Sequence, residues 1–159
     1  MTVEPSTVKD AGNSPVDSSE SVYRRCVPGW FSPNAKQPAI RDFMPRHWES
    51  DERPGDSDGL SVTRPAVSKA SPEEASLCPM TGKRFHVAEV SVAFIQSHPM
   101  GLTVVPDGKP HDAGHAIIPQ LNSVDRREPD KETWMEERAK KLRENAKMVF
   151  VLPPIPKSP

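Results

Sequence analysis

Apolar and polar side chains alternate along residues 60–64, the period of two that is typical of a strand buried on one face. Residues 85–90 and 115–118 are two further strand candidates, and Pro119 closes the second of them. Residues 102–105 add a fourth apolar run, closed by a Pro-Asp-Gly turn signal. The pattern therefore predicts a small, mostly antiparallel sheet of four strands.

Two short helices are predicted beside these strands. Ser71 can cap a helix that has Pro72 at its first position, and Pro79 ends it. A second helix begins after Ser91 and ends before Pro99. Because one face of a sheet has to be covered, we expect this second helix to cover it. Strands and helices together predict the α+β class.

The clearest helical pattern lies near the C-terminus, in a segment of residues 125–152. Neither Gly nor Pro occurs from Thr133 to Phe150, and Thr133 followed by Glu136 matches a capping box. Apolar residues recur there at spacings of four and three, which predicts an amphipathic helix. The stripe consists of Met135, Ala139, Leu142, Ala146 and Val149.

Both ends of the chain differ in composition from its centre. Residues 1–21 are rich in Ser, Asp, Glu, Thr and Pro, which predicts a disordered tail because so little apolar surface can be buried. Residues 22–124 are expected to form the α+β domain, beginning with an irregular arm around Trp30 and Phe31. Residues 153–159 are expected to be an extended, proline-rich tail.

The charge balance argues against a nucleic-acid-binding surface spread over the whole protein. The chain has 21 basic and 22 acidic residues, a net charge of −1. Binding to nucleic acid would need a local patch. The candidate basic residues are scattered among acidic ones; they are Arg24, Arg25, Arg41, Arg46, Arg53 and Arg64.

Cysteine content and hydropathy indicate a cytoplasmic protein. Cys26 and Cys78 are too few for a disulfide framework or a four-thiolate zinc site, so we expect two reduced thiols, with a single Cys26–Cys78 disulfide as the alternative. No apolar run approaches the roughly 18 residues of a membrane span. The first residues lack the basic and apolar regions of a secretory signal.

The most distinctive chemical pattern is the cluster His111, Asp112 and His115. These groups could hold a metal ion, or act as a base and the residue that orients it. Pro110 and Gly114 disfavour a helix, so the two imidazoles would not share a helical face. Alternatively, Asp112 lies in a turn and His115 enters a strand with its side chain satisfied by backbone groups. No metal or cofactor is predicted.

An enzymatic interpretation would use His115 and Asp112 as an acid/base pair, with His86 or Asp58 nearby. The alternative for His86 is a solvated or satisfied side chain on the polar face of its strand. The alternative for Asp58 is an exposed turn, since the acidic loop around it lacks the later Glu of a calcium loop.

Several short blocks, taken together, resemble a group of small uncharacterised bacterial proteins. The similarity covers about residues 22–122, and no activity is attached to that group. The blocks are Asp58-Gly59-Leu60-Ser61-Val62, His86-Val87-Ala88, Gly101-Leu102-Thr103-Val104-Val105-Pro106-Asp107 and Gly114-His115-Ala116.

The function expected first is a non-enzymatic, cytoplasmic protein-interaction module that docks through the C-terminal helix. Its apolar stripe could instead pack on its own sheet, or it could bind a groove of a partner protein. A small enzyme with the acid/base pair above is the second hypothesis, and a nucleic-acid-binding accessory factor is the third. The pattern specifies neither substrate, partner nor oligomeric state.

Overall fold

The computed structural model describes residues 14–32, 34, 36–45, 56, 58–79, 81–110 and 112–153. Most of the predicted N-terminal tail, residues 154–159 of the C-terminal tail, and His111 of the histidine cluster lie outside these described residues.

The described residues form one antiparallel sheet of six strands. The strands are β1 (Ser21–Cys26), β2 (Leu60–Thr63), β3 (His86–Ser91), β4 (Val105–Pro106), β5 (His115–Ile118) and β6 (Lys147–Phe150). Their order across the sheet is β4-β5-β2-β1-β3-β6, and every neighbouring pair is antiparallel. The predicted α+β class with an antiparallel sheet is confirmed.

Within the part of the chain that the structure describes, four α-helices accompany the sheet, and of these only the last is long. They are α1 (Pro65–Ser68), α2 (Pro72–Ala75), α3 (Val92–Gln96) and α4 (Pro129–Asn145), together with 3-10 helices at Pro28–Trp30, Ile40–Phe43 and Asp125–Arg127. The cap predicted for α2 is present: the Ser71 hydroxyl accepts a hydrogen bond from the Glu74 N–H, and the Glu74 carboxylate accepts one from the Ser71 N–H.

The prediction of an irregular arm before residue 31 is wrong for β1, which is one of the two central strands. All six of its residues pair with β3, from Ser21 opposite Ser91 to Cys26 opposite His86. The charged Arg24 interrupts the apolar pattern from which a buried strand is predicted, although its side chain is buried on this strand. Its guanidinium donates to the backbone carbonyls of Asp42 and Ser61, so hydrogen bonds offset the cost of burying the charge.

The C-terminal helix ends at Asn145, five residues earlier than predicted. Residues Lys147–Phe150 form β6 instead, paired antiparallel with β3. Val149 and Phe150 favour strands, and the edge of β3 offers unpaired backbone groups, so tertiary pairing outweighs the helical pattern. Ala146 and Val149 therefore do not lie on the helix.

Two smaller differences concern loops. Of the predicted strand 102–105, only Val105 belongs to β4. The folded part also begins before residue 22. Arg64 is buried at 2% exposure and forms a two-pronged ion pair with Glu20, at 2.9 and 2.8 Å. Its guanidinium also donates to the carbonyls of Ser14 and Pro15.

One face of the sheet, here called the core face, carries the main hydrophobic core. The 19 buried residues of this cluster come from four strands and from the segments that cover them. The cover includes α3, as predicted, and also Phe43 and Met44 and the buried side of α4. Directly paired residues share a face of a sheet. The register pairs Val22 with Val90 and Val62 with Ala116, which places these side chains on the core face.

Candidate functional site

A row of polar side chains crosses the opposite face of the sheet, here called the polar face. Thr63 pairs with His115 on one side and with Tyr23 on the other, and Tyr23 pairs in turn with Glu89. Asp107, directly after β4, continues the row because its backbone N–H donates to the His115 carbonyl at 2.9 Å. These five residues form the polar row.

His115 is oriented within this row by Asp107. Its Nδ1 lies 3.1 Å from the Asp107 carboxylate oxygen Oδ2 and 3.1 Å from the Asp107 backbone oxygen. Since both neighbours can only accept, Nδ1 carries the proton and donates to them. Within the described residues, Nε2 of His115 forms no hydrogen bond, and the side chain is 18% exposed. An imidazole held in this way presents Nε2 as a proton acceptor.

Among the described residues, the Asp112 carboxylate forms no hydrogen bond or ion pair with the His115 ring, so the structure does not bring the predicted Asp112–His115 pair together. Its carboxylate accepts a long hydrogen bond of 3.4 Å from the Thr63 hydroxyl. Its backbone exchanges hydrogen bonds with Lys109, and its carbonyl accepts from the His115 N–H, so Asp112 shapes the hairpin loop. The orienting carboxylate is instead Asp107, which the hairpin register brings opposite His115.

His86 lies on the core face, contrary to the prediction of a polar face, and is far from His115. Strands β1 and β2 separate β3 from β5, which corresponds to about 14 Å across the sheet. The His86 Nδ1 accepts a hydrogen bond of 2.8 Å from the Leu152 backbone N–H, and the ring meets the Phe31 ring edge-on. Burial lowers the pKa of His86, with the nearby Asp42 carboxylate opposing the shift.

Asp58 is exposed and lies at the other end of β2 from Thr63. The Leu60 end of β2 pairs with Ile118, whereas the Thr63 end pairs with His115. Five residues of extended chain separate Asp58 from Thr63 by about 16 Å. The four residues predicted as one catalytic site are therefore spread over two faces and both ends of the sheet.

The predicted partner-binding stripe is largely buried in the protein's own domain. Met135, Ala139 and Leu142 are exposed by 1% or less and belong to the core cluster. Ala146 packs against the same cluster, while Val149 packs on a small cluster of the polar face around Tyr23. The interpretation in which this stripe projects and binds a partner does not fit this burial.

The described arginines proposed for nucleic-acid binding are engaged within the protein. Arg24 and Arg64 are buried, with the partners given above. The Arg25 guanidinium donates to the Ala75 carbonyl, and that of Arg41 stacks on the Trp30 ring at 4.1 Å. Arg46 and Arg53 lie outside the described residues. These four side chains do not form the local basic patch that the third hypothesis requires.

Cys26 is a buried thiol rather than a nucleophile. Burial raises its pKa to about 12, and the nearby Asp42 carboxylate acts in the same direction. Neither Cys26 nor Cys78 forms a disulfide. The part of the chain that the structure describes contains no group of three or more His, Cys, Asp or Glu side chains placed to hold a metal ion.

The two edges of the sheet differ in their accessibility to another strand. At one edge, β4 has only two residues and one of them is Pro106, which has no N–H to donate. At the other edge, β6 has four residues, and Val151 directly after it is 46% exposed. Edge β6 is therefore the more accessible one.

Within the described residues, no helix is both long and apolar enough to cross a membrane. No protein-family model matches the chain, and neither a curated protein nor a solved structure matches it significantly. The resemblance to small uncharacterised bacterial proteins therefore stays a prediction.

Proposed function

We propose that the protein is a non-enzymatic, cytoplasmic protein-interaction module that binds an extended segment of a partner protein along β6. The carrying observation is that β6 lies at an edge of the sheet with no strand beyond it among the described residues. An extended peptide can add to such an edge through backbone hydrogen bonds, while side-chain contacts give specificity.

The side chains of β6 favour an apolar partner segment. Met148, Val149 and Phe150 are half-buried, and Val151 is exposed after them. Lys147, at the start of the strand, is the only charged residue from 147 to 151. The C-terminal segment thus remains the docking element of the proposal, with its strand rather than the helix stripe making the contact.

Site-specific photo-crosslinking in cells that naturally make the protein tests this proposal. A photoreactive benzoylphenylalanine would replace Val151 beside β6 or, as the matched control, Val124, which is 54% exposed. Val124 precedes α4 in the sequence and Val151 follows it. The helix between these two positions has 17 residues and is about 25 Å long. We expect a discrete covalent adduct from position 151 and none of the same mass from position 124.

A strand-blocking variant makes the crosslinking result specific to pairing at the edge. In the Val149→Pro variant, a backbone donor of β6 is lost, and we expect the adduct from position 151 to disappear while circular dichroism shows a retained fold. If that variant does not fold, Val149→Lys replaces it. Adducts of equal yield from both positions, or none from position 151, would contradict the proposal. An adduct of twice the chain mass would identify a second copy rather than another protein, and would also contradict it.

A further inference from the structure

Two residues of the polar row are more buried than is usual on a sheet face that is exposed to solvent. Antiparallel sheets commonly leave one face to water. Here, Thr63 is 6% exposed and Tyr23 is 9% exposed. The helices α1 and α2, on either side of residues 69–71 in the sequence, have four residues each. Among the described residues, the buried apolar cluster on this side consists of Tyr23, Ala75 and Val87, with the partly buried Ala70, Val149 and Phe150 packed against it. The polar face therefore combines low exposure with little hydrophobic packing.

The Asp107–His115 side-chain contact is not needed to close the hairpin between β4 and β5. The backbone already does so, because the Asp107 N–H donates to the His115 carbonyl and the His115 N–H donates to the Asp112 carbonyl. The side-chain contact adds an orientation: Nδ1–H is fixed on Asp107 and Nε2 is left as an acceptor. A proton-accepting group on a rigid strand, next to the Thr63 hydroxyl, is a ligand-binding arrangement.

The charges around His115 indicate what the ligand would carry. Asp107 and Asp112 provide two carboxylates, and the Lys109 ammonium lies 3.2 Å from Asp107. The Thr63 hydroxyl proton points to Asp112, so its oxygen lone pairs remain available as acceptors. Such surroundings repel phosphate and carboxylate ligands and favour a molecule that donates hydrogen bonds.

We propose that the His115 end of the polar row binds a small neutral molecule bearing hydroxyl groups, with Nε2 of His115 accepting a hydroxyl proton in a hydrogen bond. This site is independent of partner docking along β6. Four strand spacings separate β5 from β6, about 19 Å across the sheet, so the two proposals can fail separately.

Nuclear magnetic resonance of the full chain tests the site in two steps. Long-range proton–nitrogen spectra of the imidazoles report which ring nitrogen carries the proton, and we expect the neutral imidazole of His115 to have it on Nδ1. Ribose is the probe for binding, and ribose 5-phosphate is its anionic counterpart. We expect ribose to shift the His115 and Thr63 signals saturably, and the phosphate to bind at least tenfold more weakly.

Variants separate this site from a purely structural pair. We expect His115→Phe to abolish the ribose-dependent shift at Thr63, and Asp107→Ala to weaken ribose binding at least threefold while the backbone hairpin persists. Asp58→Asn, at the other end of β2, is the matched control and should leave the ribose affinity unchanged. Absence of a saturable shift with ribose, a proton on Nε2 of His115, or equal affinity for the phosphate would each overturn the proposal.

Discussion

The core face and the polar face belong to one sheet, yet different interactions hold them. The core face is covered by apolar side chains from α3, α4 and the residues around Phe43. The polar face carries the row from Asp107 to Glu89 and, among the described residues, a cluster of three buried apolar residues. Burial of apolar area stabilises the first face, whereas oriented hydrogen bonds shape the second. The main hydrophobic core and the candidate site thus lie on opposite faces of the same sheet.

The largest expected effect comes from opening a cavity on the core face. Leu142 on α4 is 1% exposed, and the Leu142→Ala variant should lower the free energy of unfolding by about 2–5 kcal/mol. Urea denaturation followed by circular dichroism measures this difference. Lys141→Ala, at the exposed neighbouring position, is the control and should change stability by less than about 0.5 kcal/mol. A loss of similar size in both variants would contradict the placement of α4 against the core face.

A smaller effect is expected on the polar face. Thr63→Val keeps the side-chain shape but removes the hydroxyl that donates to Asp112. Because that hydrogen bond is long and its acceptor is partly accessible, the free energy of unfolding should fall by about 1 kcal/mol or less. The same denaturation experiment measures the change. A loss as large as that of Leu142→Ala would show that the polar face, too, is a structural core.

The smallest expected effect is a dependence of stability on pH that arises from His86. Burial lowers the pKa of His86 in the folded protein, so the unfolded chain binds the proton more readily. The free energy of unfolding should therefore fall as pH decreases through about 6.5, the usual histidine value, and level off below the folded pKa. Protonation also removes the acceptor for the Leu152 N–H.

Two histidine variants test whether this pH dependence of stability arises from His86. Thermal unfolding between pH 7.5 and pH 5 should show a flatter pH dependence for His86→Gln than for the original protein. His98→Gln, at an exposed position after α3, should keep the original slope. An unchanged slope in His86→Gln would contradict the buried, neutral state of that imidazole.

Local patterns predicted the elements that local chemistry determines. The predicted strands β2, β3 and β5 and the cap at Ser71 appear in the structure within about one residue of the prediction. The two strands that were missed depend on distant contacts. Arg24 is acceptable in β1 only because the carbonyls of Asp42 and Ser61 receive its protons.

The candidate site shows the same limit of sequence patterns. His115 was singled out by its neighbourhood in the chain, but its carboxylate partner lies eight residues away, at Asp107. Only the hairpin register specifies that partner. Asp107 belongs to the Pro-Asp-Gly turn signal. If this turn and the strand at 115–118 are combined into a hairpin, the sequence predicts that Asp107 lies opposite His115. His86 could not be placed from alternation alone, because a buried histidine has the same spacing as a solvated one.

The position of β1 in the sheet has a consequence for how the protein is made. This central strand is synthesised before its partners, and β3 and β6 on one side of it follow some 60 and 120 residues later, at His86–Ser91 and Lys147–Phe150. Long-range pairing of this kind slows folding. The sheet therefore cannot close until Lys147–Phe150 has been synthesised, and the edges of the half-assembled sheet stay exposed until then.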